Sequence, residues 1–165
     1  RGEVEKSYLV KVHGHPADDT FSCDAAISAS SVAAGARELE EGGLSALTHF
    51  EVIERCADGT ALLVARPVTG RTNQIRIHAR AMGHPVCGDP VYTQAEALGT
   101  VPTLAPTDPP LCLHAWRITL THPITRKRVT YEAPPPAWAG DGENLPCIRQ
   151  EKDLEIPAGQ HCVCA

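Results

Sequence analysis

Two alternating apolar runs, residues 48–56 with Phe50, Val52 and Ile53 and residues 60–66 with Leu62 and Val64, are separated by Asp58-Gly59. Alternation with a period of two marks half-buried strands, and Gly59 supplies the positive φ that a tight turn demands. The pair therefore predicts a β-hairpin. Residues 7–13 alternate in the same way and predict another strand, and two more follow at about 113–121 and 128–133, joined by a turn at His122 to Lys127. From Ser28 to Gly43 the chain is Ala/Ser-rich and then acidic; it reads as a loop, with a short helix expected around Ala33 to Glu41. Residues 93 to 111 hold Pro102, Pro106, Pro109 and Pro110 and read as an extended connector. Beyond Pro136 periodicity stops. The expected organisation is one domain over 1–136 and a loosely structured tail over 137–165, without repeats.

Charge is distributed in blocks. The formal net charge is -5, yet no acid falls between Asp58 and Asp89, a span that holds Arg66, Arg71, Arg76 and Arg80 with His78 and His84. A second acid-free stretch carries Arg117, Arg126, Lys127 and Arg128. Local basic surface of this kind suits a polyanion or a buried carboxylate even on an acidic chain; the plainer reading is a solvated basic face.

In the first block Thr72 can cap a helix reaching Met82, with Gly83 as a left-handed stop ahead of Pro85. Ile75, Ala79 and Met82 share the predicted buried face. Arg76 and Arg80 lie four apart, and a like-charged pair at that spacing costs about 0.3 kcal/mol on an isolated helix. Facing phosphate or a carboxylate would offset that cost; splaying into water would make it small.

Composition excludes several classes. The chain has 165 residues, 42% hydrophobic, and no apolar run near the length of a membrane span. Its charged first residues give no expectation of a leader peptide, and its first residue, Arg1, is not methionine, which favours a fragment of a longer protein. Seven cysteines are scattered without a Cys-x-x-Cys pair, so neither a disulfide framework nor a zinc ribbon is expected, and a reducing compartment (cytosol, nucleus or organelle interior) fits. None of the eight histidines shows the paired spacing of a ligand helix, and the His161-Cys162-Val163-Cys164 end reads as incidental thiols. No metal is expected, and a monomer is.

The run Gly70-Arg71-Thr72-Asn73-Gln74-Ile75-Arg76-Ile77-His78, followed by Gly83-His84-Pro85 and Gly88-Asp89-Pro90-Val91-Tyr92, resembles the hallmark of the RluA-type RNA pseudouridine synthases, Gly-Arg-Thr-His-Gln-Ile-Arg-x-His. Asn73 stands where that family usually has histidine. Three further blocks resemble the family in its order: Lys6-Ser7-Tyr8, Ala46-Leu47-Thr48-His49-Phe50, and Leu113-His114-Ala115-Trp116 through Thr121-His122-Pro123 to Glu132-Ala133-Pro134. The resemblance covers roughly residues 6 to 136.

It implies an α+β fold, a mixed and largely antiparallel sheet with flanking helices, and isomerisation of uridine to pseudouridine in ribosomal or transfer RNA. The reaction detaches uracil from ribose, turns it and rejoins it through carbon 5, with no cofactor. By motif position Tyr8 is the tyrosine that meets the base and Arg76 the arginine that holds the essential aspartate ionised. Ile75 would wall the pocket, and Arg71 and Gln74 would position the RNA backbone or base edge. Arg80 would contact RNA, and His78 is either an RNA contact or a satisfied structural histidine. Asp89, in its Gly-Asp-Pro turn, is read as a backbone cap. The aspartate itself belongs, by the resemblance, to a His-Arg-Leu-Asp segment ahead of the Lys-x-Tyr strand, and no such segment occurs in the 165 residues. The expectations are a fragment of an active enzyme, a truncated RNA-binding relative, or an aspartate lent by another chain. Residues 1–165 alone are expected to be catalytically silent.

Overall fold

The computed structural model describes residues 4–31, 35–93, 98–99, 104–140 and 145. Its strands are β1 (Glu5–His13), β2 (Thr20–Cys23), β3 (Thr48–Arg55), β4 (Thr60–Pro67), β5 (Leu113–Thr121) and β6 (Arg128–Glu132), with one helix, α1 (Gln74–Ala81), between β4 and β5. They form a single sheet in the order β2-β3-β4-β1-β5-β6. Every pairing of these strands is antiparallel.

The β3–β4 hairpin closes where the sequence predicts. Gly59 has φ +79, and the Asp58 carboxylate accepts the Thr60 N–H at 3.0 Å. Its pKa falls to about 2, because the Thr60 hydroxyl and then Lys11 donate to the charged form. β1 inserts between β4 and β5, pairing Tyr8 with Ala65 on one side and with Ala115 on the other, beside a bulge at Ser7/Tyr8.

Alternation along the central strands sorts side chains to two faces. Val10, Val12, Leu63 and Ala65 join Phe50, Ile75 and Ala79 in the core beneath α1, where Phe21 stacks on Phe50 at 5.1 Å. Leu9, Leu62, Val64 and Trp116 face the other way, against Ala139 and Trp138. Residues 137–139 thus form a 3₁₀ turn packed on the sheet, and the expected boundary at Pro136 falls inside the packed structure. The Cys162 and Cys164 end lies outside the described residues.

Three expectations are corrected. Thr72 is not the helix cap: Asn73 takes that position in a left-handed conformation, φ 59, which asparagine tolerates, and no side chain caps the first turn. The buried face of α1 is wider than Ile75, Ala79 and Met82. It includes Gln74, Ile77 and His78, because Ile27, Ala36 and Ala46 cover a second side of the helix, while Met82 is only partly buried. Of the helix expected around Ala33 to Glu41, residues 33 and 34 lie outside the described residues and 36–41 are not helical: Ile27 bridges both Leu39 and Leu44, the Ser28 N–H donates to Glu38 O and the Glu40 N–H to Ala26 O, across the loop rather than along a helix. Gly83, at φ +80, does end the helix as expected.

Candidate active site

The N-terminus of α1, the turn before it, and the ends of β1, β4 and β5 enclose a cleft of about 230 Å³. Tyr8, Ile75 and Arg76 line it, with Lys6, Arg71 and Leu113 beside them. A volume below the range of drug-sized ligand pockets suits one planar base better than a larger ligand. Tyr8 is half-buried, and its hydroxyl has no hydrogen-bond partner among the described residues. Ile75 is a buried wall shared with the core.

Arg76 is the most constrained cation here. Its Nε and Nη2 donate to the two oxygens of Asp89 at 2.6 and 2.7 Å, and its Nη1 donates to Asn73 Oδ1 at 3.0 Å. The guanidinium lies 4.8 Å from the centre of the Tyr92 ring. Asp89 also accepts the Val91 and Tyr92 N–H groups, each at 2.9 Å, so the expected backbone cap is present. Burial pushes the Asp89 pKa up, but the Arg76 hydrogen bonds and then those two N–H groups outweigh it and hold the carboxyl below its ordinary range. The carboxylate facing Arg76 among the described residues is therefore Asp89, thirteen positions along the chain. Three of the five guanidinium N–H bonds are engaged in these contacts, which fixes the plane in which the others point.

The sequence-predicted site separates into parts. Gln74 lines the cleft, but its carbonyl oxygen accepts from Thr69 and Arg71 while its amide nitrogen donates to Leu47 O and Thr48 Oγ1. Its hydrogen-bonding capacity is spent on the fold, which corrects its assignment to the substrate. Of the two readings of His78, the geometry matches the structural one: it is fully buried, bonded to Thr48 Oγ1 at 2.9 Å and Ala25 O at 3.0 Å, and burial lowers its pKa. It ties Ala25 and Thr48 to the helix. Arg80 points away from the cleft, donating to Thr93 O beside a larger hollow of about 580 Å³ with none of Tyr8, Ile75 or Arg76 on its walls. Arg71 stays at the rim, exposed, with Nε on Ser45 O at 3.0 Å.

Sequence reasoning missed Tyr92. Its buried hydroxyl accepts from Asn73 Nδ2 and the Arg37 N–H and donates to Arg37 O. The Gly-Asp-Pro-x-Tyr run was the signal available. The acid-free stretches prove to be paired with acids from elsewhere: Arg66 with Glu51 (2.8 Å), Arg117 with Glu132 (2.7 Å), and Arg128 with Glu5. Among the described residues, Lys6 and Arg71 at the cleft and Arg126 and Lys127 on the β5–β6 turn have no acidic partner. No group of His, Cys, Asp and Glu among these residues has the arrangement of a metal site, and no described helix is long and apolar enough to cross a membrane.

Among the described residues an antiparallel sheet holds a basic, aromatic-edged cleft at the start of α1, and comparison with known proteins shows what such a chain is similar to. Residues 1–81 match the family model described as RNA pseudouridylate synthase. The chain is 36% identical over 133 residues to the dual-specificity RNA pseudouridine synthase RluA of Escherichia coli (strain K12), covering 80% of this chain and 58% of that protein. To RluA of Pasteurella multocida (strain Pm70) it is 41% identical over 97 residues, which is 58% of this chain and 40% of that one. Among solved structures, human RNA pseudouridylate synthase domain containing 1 superposes with a TM-score of 0.63 at 29% identity, over 81% of this chain and 55% of that one. These matches support an RluA-type RNA pseudouridine synthase family for the chain. It spans a little over half the length of the first of these relatives, 58%.

Proposed function

We propose that this chain supplies the uridine-binding part of an RNA pseudouridine synthase acting on structured ribosomal or transfer RNA. The observation that carries the reading is the convergence of Tyr8, Ile75 and Arg76 on one base-sized cleft with Lys6 and Arg71 beside it. A uridine must leave its stack to enter such a cleft, and an aromatic face with an apolar wall replaces the lost stacking. The phenol of Tyr8, free of other partners among the described residues, lies where it can face carbon 5 of the base, whose proton departs once carbon 5 has bonded to the ribose. Arg76, held by Asp89 and Asn73, presents its remaining N–H bonds to a reaction carboxylate and favours the ionised form. Arg71 and Lys6 hold phosphate at the rim. A reducing compartment agrees with Cys56, Cys87 and Cys112 as free thiols.

Base stacking on an aromatic side chain contributes about 1–3 kcal/mol. Tyr8→Leu is therefore expected to weaken binding of a stem-loop with a loop uridine by roughly 5- to 150-fold, while Tyr8→Phe binds almost as wild type does. Fluorescence anisotropy on both variants checks this; equal affinity of Tyr8→Leu and wild type would remove Tyr8 from the base site.

A further inference from the structure

Apart from the cleft, cations without acidic partners gather at the β5–β6 turn. Arg126 there has φ 58, a left-handed conformation that glycine and asparagine enter readily and arginine does not. The turn is built to hold it: His122 Nδ1 accepts the N–H groups of Ile124 and Thr125, Arg126 N–H donates to His122 O, and His122 N–H donates to Lys127 O. The Arg126 side chain has no hydrogen bond, ion pair or ring contact among the described residues, so the unfavourable backbone state is held with its guanidinium left open to a group outside the chain. Arg126 and Lys127 are both exposed, and Ile124 beside them is 85% exposed. Their basic neighbours Arg117 and Arg128 are already occupied by Glu132 and Glu5.

We propose that this turn is a second RNA contact, in which Arg126 and Lys127 grip the phosphate backbone of a stem next to the target uridine. The proposal rests on the RNA reading of the cleft and adds where the rest of the substrate lies. Ala115 pairs with Tyr8, and β5 continues to Thr121. At about 3.3 Å per residue the turn stands roughly 20 Å from the cleft. A trinucleotide seated at Tyr8 does not bridge that distance; a folded stem does. Exposed cations of this kind act through counterion release, so their contribution is read in the salt dependence.

The test uses the full 165-residue chain as wild type, Arg126→Gly, Arg126→Gly/Lys127→Ala and Arg71→Ala. Each is titrated over a range of salt with a stem-loop carrying a loop uridine and with a uridine trinucleotide, and each is melted. The double variant is expected to bind the stem-loop about tenfold more weakly at low salt, with a log–log slope flatter by about 1.4 to 1.8 for two contacts. It should bind the trinucleotide as wild type does, whereas Arg71→Ala weakens both ligands. Arg126→Gly should melt no lower than wild type, because glycine relieves the left-handed residue while the charge is lost. Unchanged stem-loop affinity and slope in the double variant, equal losses on both ligands, or a lower melting temperature that accounts for the lost binding would each overturn the second contact. Absence of any salt-dependent RNA binding by wild type would overturn the RNA reading together with it.

Discussion

Replacing Asp89 with alanine is expected to cost about 3–5 kcal/mol of folding stability, the range found when one partner of a buried ion pair is removed. The Asp89 side chain is 0% exposed and that of Arg76 17%, so the guanidinium left behind has little access to water. The Val91 and Tyr92 N–H groups also lose their acceptor, and with them the anchor of the turn that carries Tyr92. Asp89→Asn keeps one oxygen for those N–H groups and should cost less. Because the folded carboxyl titrates below its ordinary range, its contribution is complete above about pH 4 and is lost as pH falls through the folded value. The stability gap between wild type and Asp89→Asn should therefore hold constant from neutrality to about pH 4 and narrow below it. His49 and His78, both lowered by burial, make the two proteins lose stability alike as pH drops through the histidine range, and cancel in the difference. Urea denaturation across pH measures both effects; an Asp89→Ala protein within 1 kcal/mol of wild type would show that the pair is not closed in solution (about 1 kcal/mol being the most an exposed pair contributes).

The second large effect is expected at Arg76 in a protein that has activity. Arg76→Lys keeps a positive charge near Asp89, yet a lysine ammonium cannot reproduce the two-pronged contact with Asp89 together with the bond to Asn73. Loss of one charge-stabilising donor at a reacting centre typically lowers turnover by about 10²–10³, and Arg76→Lys should fall in that range. RNA affinity should change less than threefold, since three of its N–H bonds face protein groups rather than phosphate. Proportional losses in affinity and turnover would make Arg76 a phosphate contact instead.

How far the sequence could be read depended on the range of the interactions involved. The β3–β4 hairpin and the β5–β6 pair were legible because alternation and a turn residue are local signals, and the end of α1 was legible from Gly83. The strand β2 was not: Thr20 to Cys23 is too short for a pattern and is held by its ladder to β3 and the stacking of Phe21 on Phe50. Among site residues Tyr8, Ile75 and Arg76 could be carried over from the motif, and the cleft brings them together. Gln74 and His78 belong to the same motif but are used by the fold, which only the positions of Leu47, Thr48 and Ala25 reveal. The basic blocks misled for a similar reason. An antiparallel ladder sets Arg66 beside Glu51 and Arg117 beside Glu132, so charges separated along the chain are adjacent in the sheet.

Release of tritium from carbon 5 of labelled uridine in RNA tests the central claim most directly, measured on residues 1–165 alone and on the same residues joined to a preceding family segment containing His-Arg-Leu-Asp. Background release is expected from the first protein. From the second, catalytic release is expected, brought down by about 10²–10³ in Arg76→Lys. Catalytic release by residues 1–165 alone would place the essential carboxylate within this chain, and no release by the joined protein, folded and RNA-bound, would contradict its part in uridine isomerisation.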